Sequence, residues 1–299
     1  MNKRYPRISI VTPSFNQGQY LEKTIRSVLE QNYPDVEYII IDGGSTDSSV
    51  EVIKKYEKYL AYWVSEPDHG QAHAINKGLQ RATGDLLAWL NSDDFYSRGA
   101  LKHFAEASLA RPNEDVFVGS GRVVNERSEV LREVEPKPDI TLETLYRWLS
   151  GGDFCQPSCM FRRLAWEKTG PLDENIHIAL DVDLWLKMAK SGFHFGVIKE
   201  VLSTALVHNA AKTTAYEQLM RVDAAIIIIR HGGELAVRGY LEDLAYRVAW
   251  AEPNLKKILD NPVIKLLMPM LNLLMKPAVR RRDLLPRWLE KEDKRVDSA

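Results

Sequence analysis

Residues 86–94 read Leu-Leu-Ala-Trp-Leu-Asn-Ser-Asp-Asp, an apolar run that stops at two adjacent carboxylates. Leu86 to Leu90 suits a strand buried on both faces of a parallel sheet. Asp93 and Asp94 then stand at the strand's C-terminal mouth, where open α/β sheets bind ligands. Neighbouring carboxylates repel unless a cation or donors offset them. A divalent metal is the simplest such cation, and hard oxygen ligands favour Mg²⁺ or Mn²⁺. The alternative is local: either Asp can cap a helix that begins near Ser97 or Arg98.

Asp42 closes another β-rich run and opens a Gly43-Gly44 loop. A carboxylate there can accept from a nucleobase N–H, and the glycines permit close backbone approach. It can equally form an Asx turn that bends strand into helix. Asp68 lies in the polar loop Glu66-Pro67-Asp68-His69-Gly70-Gln71 on the same predicted sheet edge.

Asp181 and Asp183 stand at the start of a predicted helix, about Asp181 to Lys190. Asp181 shares a face with Leu184, Trp185 and Met188, which is apolar and points inward. Asp183 shares its face with Leu186, Lys187 and Lys190, a largely solvated one. A carboxylate at an inner edge has a raised pKa, which suits removal of a hydroxyl proton. Both can also serve simply as acidic residues at a helix N-terminus. Trp148, Trp166 and Trp185 can stack on a ligand or fill the core.

The elements that must position these groups follow from periodicity. Ile8 to Val11 is the first strand, and Leu21, Ile25, Val28 and Leu29 mark one face of a helix that stops at Asn32-Tyr33-Pro34. Strands follow at Val36–Ile41, Tyr62–Val64 and Leu86–Leu90, with helices at Val52–Leu60 and Gln71–Arg81 between them. Strands alternating with helices through short loops mean a parallel sheet with right-handed crossovers. From about Val116 the pattern is more antiparallel, a strand is expected near Phe193 to Val201, and beyond Thr214 the chain reads as helical. The expected organisation is a catalytic domain over 1–214, with halves at about 1–120 and 121–214, and a helical region over 215–299.

A net charge of −1 gives no general pull toward nucleic acid. Cys155 and Cys159 are too few for a disulfide framework, and their spacing lacks the second ligand pair of a zinc site. Reduced thiols, no leader segment and no apolar stretch of spanning length point to the cytoplasm.

Four segments together resemble one family. Ile8-Ser9-Ile10-Val11-Thr12-Pro13-Ser14-Phe15-Asn16 and Ile40-Ile41-Asp42-Gly43-Gly44-Ser45-Thr46-Asp47 are similar to the opening strands of family-2 glycosyltransferases. Asn91-Ser92-Asp93-Asp94 looks like their metal-binding D-x-D signature, and Asp181-Val182-Asp183-Leu184-Trp185 like their catalytic-base segment. The resemblance covers about residues 7–210 and implies a GT-A, Rossmann-like sheet flanked by helices. It implies inverting transfer of a hexosyl or N-acetylhexosaminyl group from a nucleotide sugar, UDP-linked, to a glycan or lipid-linked acceptor. Donor contacts are implied for Pro13, Ser14, Asp42, Asp68 and Asp93; metal ligation for Asp93, Asp94 and His208; base catalysis for Asp181, with Asp183 as the alternative.

Two departures stand out. Asn91 replaces the first Asp of the signature. Ala74-Ile75-Asn76 stands where many relatives carry Ala-Arg-Asn, so the diphosphate loses an Arg that His69, His73, Lys77 or the metal alone would have to replace. The competing enzyme class, a sugar-phosphate nucleotidylyltransferase, needs a basic Gly-rich loop after the first strand, which Thr12 to Asn16 does not supply. A non-catalytic sugar- or nucleotide-binding scaffold is the competing non-enzyme reading.

Pro262 to Pro277 is apolar apart from Lys265, Asn272 and Lys276, and Arg280-Arg281-Arg282 follow it. The expectation is an interfacial helix on anionic lipid, on the inner face of the cell membrane. Packing on the protein or against a second copy of the chain is the alternative.

Overall fold

The computed structural model describes residues 5–151, 154–208, 211 and 217–260. The apolar run at 262–277 and its expected membrane contact lie outside these residues. Among the described residues, no helix is long and apolar enough to cross a membrane. The chain divides into two compact units, Met1–Gly233 and Glu234–Ala299. In the second, helix 234–260 carries exposed Leu235, Tyr246 and Trp250.

Strand β1 (Ile8–Ser14) is buried along its whole length. It pairs in parallel with β2 (Val36–Asp42) on one side and β4 (Leu86–Trp89) on the other. β3 (Tyr62–Ser65) extends the sheet in parallel beyond β2. This is the expected parallel half, and its strands are apolar because helices cover both faces. Those helices are α1 (Gly18–Leu29), α2 (Ser49–Tyr56) and α3 (Gln71–Arg81). α3 lies tight on β1 because Gly78 faces it: a Cβ there would meet Val11 Cγ1 at 2.3 Å.

The sheet then changes character. β8 (Cys159–Arg162) is antiparallel to β4 and to β6 (Val116–Asn125). β9 (Phe195–Val207) runs parallel to β6, and the two-residue β5 (Phe95–Tyr96) caps the far edge. β7 (Val130–Val134) hangs on β6 as a hairpin arm. The order is β3-β2-β1-β4-β8-β6-β9-β5, with β7 off the path. β9 outruns its expected end at Val201. Ser203 and Thr204 look like loop residues, yet Tyr96 and Phe95 pair with them and both are buried.

Five more helices matter for the site. α4 (Ala100–Ala110) follows the two carboxylates, and the short α5 (Leu142–Tyr146) and α6 (Arg163–Thr169) precede α7 (Leu180–Lys190). α8 (Glu217–Arg230) packs on α7 and belongs to the first unit.

Candidate active site

The parallel register brings Ser14, Asp42 and Ser65 side by side at the C-terminal edge of the sheet. Asp42 is fully buried and its oxygens are occupied. Oδ2 accepts from Gly44 N at 3.2 Å, Ser45 N at 2.9 Å and Ser65 Oγ at 2.7 Å, while Oδ1 accepts from Ser45 Oγ at 2.5 Å. The Asx-turn alternative is therefore the geometry adopted, with three donors on Oδ2 and one on Oδ1. Ser14 Oγ, buried beside it, has no hydrogen-bond partner among the described residues. Asp68 accepts from Gly70 N at 2.7 Å and leans over the Gly loop: a Cβ on Gly43 would meet Asp68 Oδ2 at 2.7 Å. Gly44, at φ +82°, makes the turn that lets the two loops meet.

Beyond β4 the chain turns through Asn91, Ser92, Asp93 and Asp94. Thr24 of α1 fixes this turn by donating to Ser92 O and Asp94 O at 2.9 and 2.7 Å. Asp93 Oδ2 lies 3.0 Å from Nε2 of His208, which the end of β9 delivers from 115 residues away. His208 is buried, with its ring centroid 4.4 Å from that of Tyr20. Tyr20 donates to Glu126 at 2.8 Å, and burial, Glu126 and Asp93 push its hydroxyl up to about 12.

Asp94 turns inward. Its Oδ1 accepts from Leu206 N at 3.2 Å and its Oδ2 from Asn91 Nδ2 at 3.1 Å. Burial, then the neighbouring Asp93 charge, hold its carboxyl well above the usual range. Asn91 also accepts from Gln71 Nε2 of α3 at 2.8 Å. An amide donates to Asp94 and accepts from Gln71 at once, which an ionised Asp cannot; an Asp at position 91 would set a third carboxylate beside Asp93 and Asp94. This gives the substituted residue of the signature a physical reason, and composition alone offered no signal for it. Gln156 joins the same cluster by donating to Trp89 O at 3.1 Å.

The residues fit a divalent cation on their chemistry. Asp93 and His208 offer an oxygen and a nitrogen 3.0 Å apart, backed by a second carboxylate that burial and repulsion leave short of positive charge. Mixed oxygen and imidazole donors suit Mn²⁺ better than Mg²⁺, which prefers oxygen alone.

α7 is locked to the same strand by aromatic stacking. Trp185 lies on Trp89 with centroids 5.6 Å apart and planes 11° from parallel, and neither is more than 1% exposed. Trp185 and Trp166 are thus core residues, and Trp148 packs edge-on against Phe154. Asp181 at the head of α7 is only partly buried, yet desolvation pushes its carboxyl up to about 6. Its Oδ1 accepts from Val182 N at 2.9 Å.

Asp183 does not lie on a solvated face, as its helical neighbours suggested. It is 7% exposed and meets Lys187 Nζ at 2.7 Å and His231 Nε2 at 2.9 Å. Burial alone would raise its pKa; the bonds from His231 and Lys187 outweigh that and hold it below the usual value. Asp183→Ala is expected to cost about 3 kcal/mol at pH 7, the low end for a broken buried pair because Lys187 reaches solvent. A depressed folded pKa contributes stability above the unfolded value of about 3.9 and loses it as pH falls through the folded one. Thermal melts of both proteins from pH 3 to 8 check this: equal melting at pH 7 removes the pair from the stabilising contacts.

Comparison with known proteins identifies the family and the fold. The model of Glycosyl transferase family 2 matches residues 9–170. The putative teichuronic acid biosynthesis glycosyltransferase TuaG of Bacillus subtilis is 29% identical over 219 residues, 71% of this chain and 84% of that protein. Two solved structures share the fold. S. aureus TarS 1–349 in complex with UDP superposes with a TM-score of 0.58 at 21% identity, over 74% of this chain and 65% of that one. The mannosyltransferase PcManGT from Pyrobaculum calidifontis, in complex with GDP-Man and Mn²⁺, has a TM-score of 0.58 at 20% identity, over 92% of this chain and 82% of that one. The architecture is therefore GT-A, and the chain belongs to glycosyltransferase family 2.

Proposed function

We propose that this chain transfers a sugar, with inversion, from a UDP-sugar to a hydroxyl of a glycan or lipid-linked acceptor in surface polysaccharide or glycolipid synthesis. The observation that carries this reading is the pairing of two unlike centres on one scaffold. An Asp93–His208 pair ends one run of the chain, and a carboxyl raised to about 6 heads a helix stacked on the same strand through Trp89 and Trp185. The first suits a diphosphate held with a metal, the second a general base.

In this reading Ser14, Asp42 and Asp68 line the nucleoside end, with Pro13 beside them. Asp93 and His208 hold a divalent metal, and Asp94 backs them from inside. When bound, such an ion supplies positive charge to the diphosphate that departs. Asp181 takes the proton of the acceptor hydroxyl as its oxygen forms the new bond to the anomeric carbon. The bond from that carbon to the diphosphate oxygen breaks, and the pair of electrons leaves with UDP. Attack from the face opposite the leaving group inverts the anomeric centre. The lipid-linked acceptor and attachment at the inner membrane face rest on the 262–282 sequence, with its apolar run and three consecutive arginines.

The test is a panel of UDP-, GDP- and dTDP-sugars with Mn²⁺, read by released nucleoside diphosphate and by the anomeric configuration of the product. UDP release and an inverted anomer are expected. Release from GDP- or dTDP-sugars alone overturns the donor, a retained anomer overturns the mechanism, and no release from any donor favours a binding scaffold.

A further inference from the structure

His69, His73 and Glu174 form a second cluster of metal-ligating side chains, built from different elements and different chemistry. One ligand atom from each lies within 4.8 Å of one from each of the others. His69 ends the loop after β3, and His73 is in the first turn of α3, with Gly70 at the helix start. Their rings stack with centroids 4.7 Å apart and planes at 18°. Glu174 comes from the loop between α6 and α7.

That loop is held in place by a buried amide. Asn76, on the turn of α3 after His73, donates to Leu172 O at 3.0 Å and accepts from Leu172 N at 2.9 Å. The same Nδ2 reaches Glu174 Oε1 at 3.1 Å. An outer-shell donor on the carboxylate of a His-His-Glu cluster is the kind of contact that orients metal ligands. Lys77, one turn along the helix from His73, is paired with Glu66.

We propose that His69, His73 and Glu174 bind a zinc ion. Two imidazoles and a carboxylate are borderline donors, and three protein ligands leave the fourth tetrahedral position to water. Zinc bonds of about 2.0–2.1 Å require the three ligand atoms to draw closer than they stand, which exposed His69 is free to do. His73 Nδ1 now accepts from His69 N–H at 3.1 Å, and ion binding exchanges that one bond for a metal–nitrogen bond. The ion would clamp the start of α3, whose Gln71 holds Asn91, to the loop that leads into α7 and Asp181. This goes beyond the transfer reaction and does not depend on it.

The Asp93–His208 pair also attracts zinc, so the site is counted in the full-length Asp93→Asn chain. The protein is stripped with a chelator, titrated with Zn²⁺ in excess Mg²⁺ by calorimetry, and its retained zinc measured after gel filtration. About one zinc per chain and a higher melting temperature with zinc are expected. Adding His69→Gln and His73→Gln is expected to weaken zinc binding by more than about tenfold and to abolish the zinc-dependent melting shift, with melting in chelator unchanged. Glu174→Gln, which keeps both rings, is the second reading if the triple variant does not fold, and the same loss is expected. Zinc affinity that survives these substitutions, or no zinc retained by the Asp93→Asn chain, overturns the proposal. So does a result in which the two His substitutions leave zinc unchanged and weaken only UDP binding, since the rings would then serve the diphosphate.

Discussion

Asp181→Asn is expected to lower turnover by roughly 10²- to 10⁴-fold, the usual contribution of a general base. Donor affinity should hardly change, because the base faces the acceptor. The raised carboxyl makes the assignment testable by pH. Only the ionised form can take a proton, so kcat/KM of the wild type should rise as pH passes through about 6 and level above it. The variant's residual rate should lack that rise. Stability should move the other way. A carboxyl whose folded pKa lies above its unfolded value keeps its stability contribution below about pH 3.9 and loses it as pH rises through the folded value. The Asn variant escapes that loss and should be more stable than the wild type at pH 7–8, by about 1–3 kcal/mol, with the difference vanishing toward pH 4. A base kept at the expense of stability is the pattern expected of a functional carboxylate. If Asp183→Asn slows turnover more than Asp181→Asn, while both proteins stay folded, the base has been misassigned.

The parallel half of the fold was legible because its signals are local. Ile8–Val11 alternates and is β-rich, Ile39–Ile41 and Leu86–Leu90 are short apolar runs, and nothing far away needs to be known to read them. Asp42 and Asp93 follow from those runs, since a polar residue ending a buried strand stands at the sheet edge. What escaped reading has distant partners. Asp183 is buried by His231, 48 residues away, so its own helical neighbours suggested a solvated face. The end of β9 hid behind Ser203 and Thr204, whose strand character comes from pairing with β5. The inward turn of Asp94 depends on Leu206 N, 112 residues on. Helical periodicity sees i to i+7; these contacts lie outside that window.

Asp93→Ala is expected to abolish the Mn²⁺ dependence of UDP binding while costing less stability than Asp94→Ala. The two adjacent carboxylates differ in where their oxygens go, and that difference separates their expected effects. Asp93 meets His208 at 3.0 Å, and its loss leaves one buried ring nitrogen without that partner, at about 1–3 kcal/mol. Asp94 is buried, and its oxygens take Leu206 N and Asn91 Nδ2. Asp94→Ala removes the acceptor of both donors, leaving Leu206 N without its partner and Asn91 Nδ2 with only Gln156 Oε1 at 3.4 Å, at about 1–3 kcal/mol each, so it should lower the melting temperature markedly. Any change in its metal response should follow from the loosened turn. Asp94→Asn makes the discrimination sharper, because the amide keeps the volume and one acceptor but removes the charge. Calorimetry of UDP binding with and without Mn²⁺, run beside thermal melts of all three variants, reads both effects. Metal dependence that survives Asp93→Ala and disappears in a stably folded Asp94→Asn makes Asp94 the principal ligand. Its bonds to Asn91 and Leu206 would then have to open when the ion binds, and the strand end at Leu206 would have to move with it.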